Sequence, residues 1–163
     1  MIRRKGADKM NHTMRRSDRK LPEDEARQIL MQGEYGILST IGEDGFPYGV
    51  PLSYAYDGEK IYFHCAANEG HKLENLDFSN KVCFTVVGKT QVLPGKFSTI
   101  YESVIVFGTV SPVEDKLAAL EKLCEKYSPD FKEQGKRYAK ASEMKTAVYE
   151  LQIMELTGKA RKR

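Results

Sequence analysis

A chain of 163 residues, 40% hydrophobic and 30% charged, is long enough to bury one core without covalent staples and reads as a single globular domain. The three cysteines, Cys65, Cys83 and Cys124, form no CxxC pair, which argues against a disulfide framework or zinc knuckle and for reduced thiols in the cytoplasm. No apolar run approaches the roughly 20 residues needed to span a bilayer, and the basic start lacks the apolar stretch of a secretory signal, so no membrane partner is expected.

The net charge of +3 is unevenly placed. Residues 1–20 carry eight Lys/Arg and two Asp, a net of +6, whereas residues 21–163 carry 18 Lys/Arg and 21 Asp/Glu, a net of −3. Residues 1–20 also lack periodic apolar positions. They are expected to form a basic, solvated, disordered arm on a single domain of residues 21–163. Such an arm can bind nucleic acid, but a tail on a mildly acidic domain does not require it, and no nucleic-acid partner is expected.

Pro22-Glu23-Asp24-Glu25 opens a helix, with proline in the first turn and three acids complementing the dipole. Ala26, Ile29 and Leu30 form its apolar face, and Gly33 ends it. Residues 36–41 then read as a strand, Gly42-Glu43-Asp44-Gly45 as a turn, and residues 46–56 as a second strand. Pro47 and Pro51 exclude a regular central strand, because each removes a ladder donor. Asp57-Gly58 makes a tight hairpin into a third strand, residues 61–65, followed by a short helix from Gly70 to about Phe78.

Residues 81–87 and 101–108 are apolar without alternation at their centres. Strands of that kind are covered on both faces, and a second copy of the chain is the simplest cover, which predicts a homodimer. Ser111-Pro112-Val113-Glu114 reads as a capping box for a helix with Leu117, Leu120, Leu123, Cys124 and Tyr127 on one stripe. Ser128-Pro129 stops it and starts a weaker helical segment through Tyr138. The last strand runs from residue 146 to 156, with a phase shift at Met154-Glu155-Leu156 that predicts a bulge. The expected fold class is mainly β with flanking helices, a six-stranded antiparallel barrel whose closure removes exposed edges.

Among chemical constellations, His64 and Cys65 are neighbours on one strand and point to opposite faces, so they do not share a metal ion, and none is expected. Cys65 and Cys83 sit in apolar strand contexts that suit packing better than nucleophilic work. The junction from strand 61–65 into the helix at Gly70 presents free N–H groups and a positive dipole end beside His71 and Lys72, the chemistry of an anion or phosphate cradle. The alternative, that Lys72 is a solvated first-turn residue and Gly70 only eases the turn, has equal weight on spacing alone. In Tyr48-Gly49-Val50-Pro51-Leu52, Pro51 exposes backbone and Gly49 lets a flat ligand approach. Prolines that block edge pairing are the competing account.

Taken in order, the stretches 36–40, 45–54, 61–66 with 70–72, 101–105 with 107–108, and 156–159 resemble the FMN-binding split barrels of the pyridoxamine 5′-phosphate oxidase-like superfamily, in particular its nitroimidazole-resistance (Nim) proteins. The resemblance implies a homodimer with two flavin sites, each built from both subunits. It implies that Tyr48, Gly49, Val50, Pro51 and Leu52 line the isoalloxazine, that His64 and Cys65 border the ring and ribityl chain, and that His71 and Lys72, with Leu73 in the same turn, hold the phosphate end. Tyr101, Glu102 and Ser103 would come from the strand at the interface. The cofactor it implies is FMN, with FAD as the alternative. A catalytic role for His71, facing the substrate instead of the phosphate, is equally compatible with the resemblance. The superfamily's named oxidase ends in a Trp-containing, Arg-rich segment. This chain has no Trp and ends its match with Thr157-Gly158-Lys159-Ala160-Arg161, so the implied activity is reduction of a small electron acceptor such as a nitroaromatic. A flavin-binding carrier or sensor without turnover is the second reading.

Overall fold

The computed structural model describes residues 13–67 and 70–162. Helix α1 (Glu23–Gln32) precedes strands β1 (Gly36–Ile41), β2 (Pro47–Leu52), β3 (Ala55–Tyr56) and β4 (Lys60–Ala66). Helix α2 (His71–Phe78) leads into the long strands β5 (Lys81–Leu93) and β6 (Ser98–Pro112). Helices α3 (Lys116–Tyr127) and α4 (Lys132–Ser142) then precede strand β7 (Thr146–Arg161).

All strand pairings are antiparallel, in the order β2-β1-β5-β6-β7-β4-β3. The expected six strands are therefore seven, because the proline-bearing second strand breaks in two. Its halves lie at the two opposite edges of the sheet. Only Ser53 and Tyr54 separate them, so the edges stand within about 11 Å of each other. The sheet curls into a barrel that the covalent chain bridges and no hydrogen-bond ladder closes.

The inner face carries the main core, with Leu38, Tyr54, Ile61, Phe63, Phe84, Val86, Val104, Val106 and Leu151 fully buried. Helix α1 caps it through Ala26, Ile29 and Leu30. Gly33 ends this helix as expected, although with extended backbone rather than a left-handed cap. A smaller core joins Ala119, Leu120 and Leu123 of α3 and Ala139 of α4 to Val148 and Ala55.

Several expectations change. Strands β5 and β6 do alternate in burial: Val82, Phe84, Val86, Val104 and Val106 point inward, while Cys83, Thr85, Val87, Ile105 and Phe107 make an outer face that this chain leaves uncovered. Ser111 and Pro112 are not a cap. They extend β6 opposite Glu150 and Tyr149, and Asp115 caps α3 by accepting the N–H of Ala118 at 3.0 Å. The expected bulge is present: Phe107 faces Glu155 and Gly108 faces Ile153, which leaves Met154 as the extra residue.

Part of the basic arm packs on the domain. Ser17–Arg19 form a 3₁₀ turn, Lys20 bridges to Lys159, and the Leu21 N–H donates to the Gly158 carbonyl at 2.9 Å. Residues 1–12 of that expected arm lie outside the described residues. Among the described residues, no helix is long and apolar enough to cross a membrane.

Candidate functional site

Helix α2 is held to the barrel by a buried polar pair. Asn75 and Thr40 are each only 3% exposed, and Asn75 Nδ2 donates to Thr40 Oγ1 at 3.0 Å. Thr40 Oγ1 in turn lies 3.4 Å from the Tyr48 carbonyl, so one chain of polar contacts links α2, β1 and β2. The helix can approach this closely because residue 42 is glycine: a Cβ there would lie 2.4 Å from Asn75 Oδ1. With both polar groups satisfied, the buried pair sets the position of the helix without leaving an orphan.

That anchoring brings the amino end of α2 against β2 and β4. The His71 ring lies 4.2 Å from that of Tyr48, tilted by 33°. Lys72 extends the other way, its Nζ 5.6 Å from the centroid of Phe63 on β4. Gly70 precedes the helix with φ 146° and ψ 146°, a region essentially reserved for glycine. Its carbonyl accepts the N–H groups of Leu73 (2.8 Å) and Glu74 (3.2 Å), which leaves those of His71 and Lys72 outside the helical ladder.

On β4, Phe63 and Cys65 share the inner face while His64 lies on the other, as expected from strand geometry. Partial burial and then the Lys72 charge lower the His64 pKa, although the residue keeps contact with solvent. Burial raises the pKa of the Cys65 thiol, with Lys72 opposing, so Cys65 is a neutral thiol near pH 7. Lys72 is therefore the cation that acts on both. Tyr149 stacks on Phe63 with centroids 5.7 Å apart, and its phenol is raised by burial first and then by Cys65 and Asp77. Among the described residues, no three His, Cys, Asp or Glu side chains converge as a metal would need.

Strand β2 supplies an open edge. Pro47 and Pro51 lack an N–H, so the alternate residues Tyr48, Val50 and Leu52 bond to β1, and the Gly49 N–H and carbonyl face away from the sheet. Val50 and Leu52 turn their side chains into the core and their backbone to β1, so the outward groups left for a ligand are those of Pro47, Gly49 and Pro51. Nothing in the fold demands glycine at position 49. A Cβ there would meet Ile37 Cγ2 at 3.4 Å and Ser39 Oγ at 3.6 Å, ordinary contacts.

Tyr101, Glu102 and Ser103 do not join this cluster within one chain. Tyr48 is level with Val82 across β1, whereas Ser103 pairs with Val87, five residues further along β5, so the two groups are offset by roughly 17 Å along the strands and lie three strands apart. Tyr101 instead accepts a hydrogen bond from Arg19 Nη1 at 3.1 Å, with Lys159 Nζ 5.7 Å from its ring centroid. The Arg19 hydrogen bond, the largest influence, lowers the Tyr101 pKa, burial opposes it, and Lys159 adds to it. Glu102 accepts the Lys89 N–H at 3.0 Å. Three concavities of the single chain, lined from Glu23 to Leu156, from Ile29 to Glu102 and from Met31 to Tyr127, also lie away from Tyr48, His71 and Lys72. Among the described residues, none of these three concavities adjoins the cluster.

Sequence reasoning missed the Thr40–Asn75 pair, because neither residue type is distinctive in a strand or a short helix. It also missed Arg19 and Lys159 as companions of Tyr101. The long-range pairing of β6 with β7 brings them together, and no local pattern records that.

A family model described as pyridoxamine 5′-phosphate oxidase matches residues 22–160. A search of curated protein sequences returns no match. Among solved structures, a candidate 5-nitroimidazole antibiotic resistance protein from Bacteroides thetaiotaomicron is 24% identical over 86% of each chain, with a TM-score of 0.70. The flavocytochrome Anf3 from Azotobacter vinelandii is 20% identical, over 96% of this chain and 75% of that one, with a TM-score of 0.78. A FAD-binding protein from Mesorhizobium loti is 23% identical, over 87% of this chain and 95% of that one, with a TM-score of 0.58. At these identities the likeness is one of fold.

Proposed function

The chain belongs to the pyridoxamine 5′-phosphate oxidase family, and from that premise we propose that it is a cytoplasmic, homodimeric, flavin-dependent oxidoreductase acting on a small nitroaromatic or similar electron acceptor. The observation that carries the proposal is the amino end of α2 set against the open strand β2 through the Tyr48–His71 contact, with Lys72 in the same helical turn reaching toward β4. FMN is the favoured cofactor and FAD the alternative.

The donor set suits such a group. Lys72 and the N–H groups of His71 and Lys72 match a phosphate, and the Gly49 N–H with the β2 carbonyls matches the polar rim of a flat ring system. When bound, the flavin supplies the two-electron chemistry. The chain binds it, orients it and keeps water from one face. Lys72 and the helix dipole favour whichever state of a ligand carries more negative charge. His71, held against Tyr48, is placed to meet either the phosphate end or an incoming acceptor.

A second copy belongs to this reading because it would wall a cluster that none of the three concavities encloses among the described residues. The outer face of β5 and β6, with Val87 and Ile105 exposed and Cys83 and Phe107 half-buried beside them, is the apolar surface that would provide it. It would also bring Tyr101, Glu102 and Ser103 of one copy toward the Tyr48–Lys72 cluster of the other. The missing Trp argues against pyridoxamine phosphate as the substrate.

Purified protein is expected to run as a dimer and to carry extractable flavin. Reduced anaerobically, it should consume a 5-nitroimidazole. Colourless protein that ignores added FMN and FAD removes the proposal. Bound flavin with an unchanged nitroimidazole favours the carrier reading.

A further inference from the structure

At the other end of the barrel, among the described residues, Lys126 Nζ is a buried amine without a hydrogen-bond partner. It lies 3.7 Å from the centroid of the Tyr54 ring and 5.3 Å from that of Tyr127. Neither phenol offers it an oxygen. The Tyr54 hydroxyl donates to the Leu30 carbonyl, and Tyr127 Oη donates to the Glu34 carbonyl at 2.6 Å. A cavity of about 640 Å³ adjoins it, lined by Met31, Gln32, Glu34, Tyr35, Lys126 and Tyr127. Glu34 is the carboxylate on that lining, and among the described residues it forms no ion pair with Lys126.

An amine in this setting is unusual on two counts. Ordinary lysines keep their ammonium in water or against an acid, whereas this one has rings on two sides. Burial also pushes its pKa down to about 8, while the face of Tyr54, which attracts the cation, works against that shift. A desolvated lysine with a depressed pKa is the form in which an amine becomes a nucleophile near neutral pH. The adjoining cavity is open to solvent, with Tyr35, Tyr127 and Met31 on its apolar side, Gln32 and Glu34 on its polar side, and space for a ring.

We infer that Lys126 is a covalent capture site for small aromatic aldehydes, which it binds as imines in the cavity beside Tyr35 and Tyr127. Rotation about the end of the lysine stem moves Nζ from the Tyr54 face into the cavity. Its lone pair attacks the carbonyl carbon, the carbonyl π pair moves to oxygen, and a carbinolamine forms. Loss of that oxygen with two protons as water leaves a C=N bond at Nζ. No oxidant or reductant takes part, and the step does not use the Tyr48–Lys72 cluster.

The test uses the full chain as purified, with benzaldehyde as the probe and cyanoborohydride to fix the imine as a secondary amine, followed by peptide mass mapping. At pH 7.5 Lys126 is expected to label at least about tenfold faster than the exposed Lys132, Lys136 and Lys140, because burial lowers its pKa to about 8 and leaves part of it as the free amine. Lys126→Arg should remove this label and leave flavin content and dimer formation unchanged. Labelling of Lys126 no faster than the exposed lysines, or none at all, overturns the inference. Because the readout is a mass on one peptide, it is independent of whether the protein proves to bind flavin.

Discussion

Tyr127 Oη accepts the backbone N–H of Tyr54 at 2.9 Å and donates its own proton to the Glu34 carbonyl at 2.6 Å. Tyr54 is one of the two residues that carry the chain from one edge of the sheet to the other, and Glu34 lies in the turn between α1 and β1. One hydroxyl at the end of α3 therefore fastens the crossover of the split barrel to the entry of its first strand. Tyr127→Phe removes both contacts and leaves a buried N–H unpaired. We expect a loss of about 1–3 kcal/mol, seen as a lower urea midpoint with an unchanged slope. A loss below about 0.5 kcal/mol would mean that water replaces the hydroxyl and that the crossover holds itself.

Much of this architecture was legible where the controlling forces are local. The boundaries of β1, the start of α2 and the extra residue at Met154 follow from apolar periodicity, glycine and a phase shift. The prolines of β2 announced an irregular strand, but not that its two halves would sit at opposite edges, because edge choice is decided by pairing with β1 and β4. At Ser111-Pro112 a good local helix signal lost to pairing with Glu150 and Tyr149, a tertiary override that the cap at Asp115 completes. The site divides along the same line. Gly70, His71 and Lys72 form a contiguous helix start that the sequence displays openly. The Tyr48–His71 contact and the Asn75–Thr40 pair are products of packing between elements far apart in the chain.

Gly49 separates a structural from a ligand-driven need for glycine. The nearest atoms to an added Cβ, at 3.4 and 3.6 Å, accommodate a methyl group, so Gly49→Ala should melt within about 0.5 kcal/mol of the wild type. If a flat ligand lies against this edge, Gly49→Val should also fold but bind flavin at least about tenfold more weakly, a change of about 1.4 kcal/mol. Fluorescence titration of the apo-protein with FMN measures this. Unchanged affinity in the valine variant places the ligand elsewhere.

Asp57 provides a pH test of the β3–β4 hairpin. Burial, its largest single influence, raises its pKa. The N–H groups of Lys60 and Glu59, the Tyr62 hydroxyl and Lys122 together outweigh it and hold the carboxyl at about 2, below its ordinary value of 3.8. A folded-state pKa below the unfolded one contributes stability above the unfolded pKa, and that contribution is lost as pH falls through the folded value. Asp57→Asn should therefore be less stable than the wild type at pH 7, by about 1 kcal/mol once solvent screening is allowed for. The gap should stay constant down to about pH 4 and close toward pH 2. A gap that persists at pH 2 would trace the effect to turn geometry rather than charge.

Lys126 also has a lowered pKa, but here the charged form is the one that folding disfavours. Its pKa falls from 10.5 to about 8 on folding because its ammonium is desolvated, so the folded state holds fewer protons than the unfolded chain between those values. Stability due to this residue is then lowest below pH 8, where the charged form must be buried, and rises as pH climbs toward 10.5. Lys126→Met keeps the apolar stem and removes the charge, and replacing an unpaired buried cation by an isostere of this kind is commonly stabilising. The variant should exceed the wild type in melting temperature at pH 7, with an advantage that shrinks between pH 8 and 10.5. If instead Lys126→Met is destabilising at pH 7, the Tyr54 and Tyr127 faces hold the ammonium more strongly than burial penalises it, and the amine is a structural cation–π anchor.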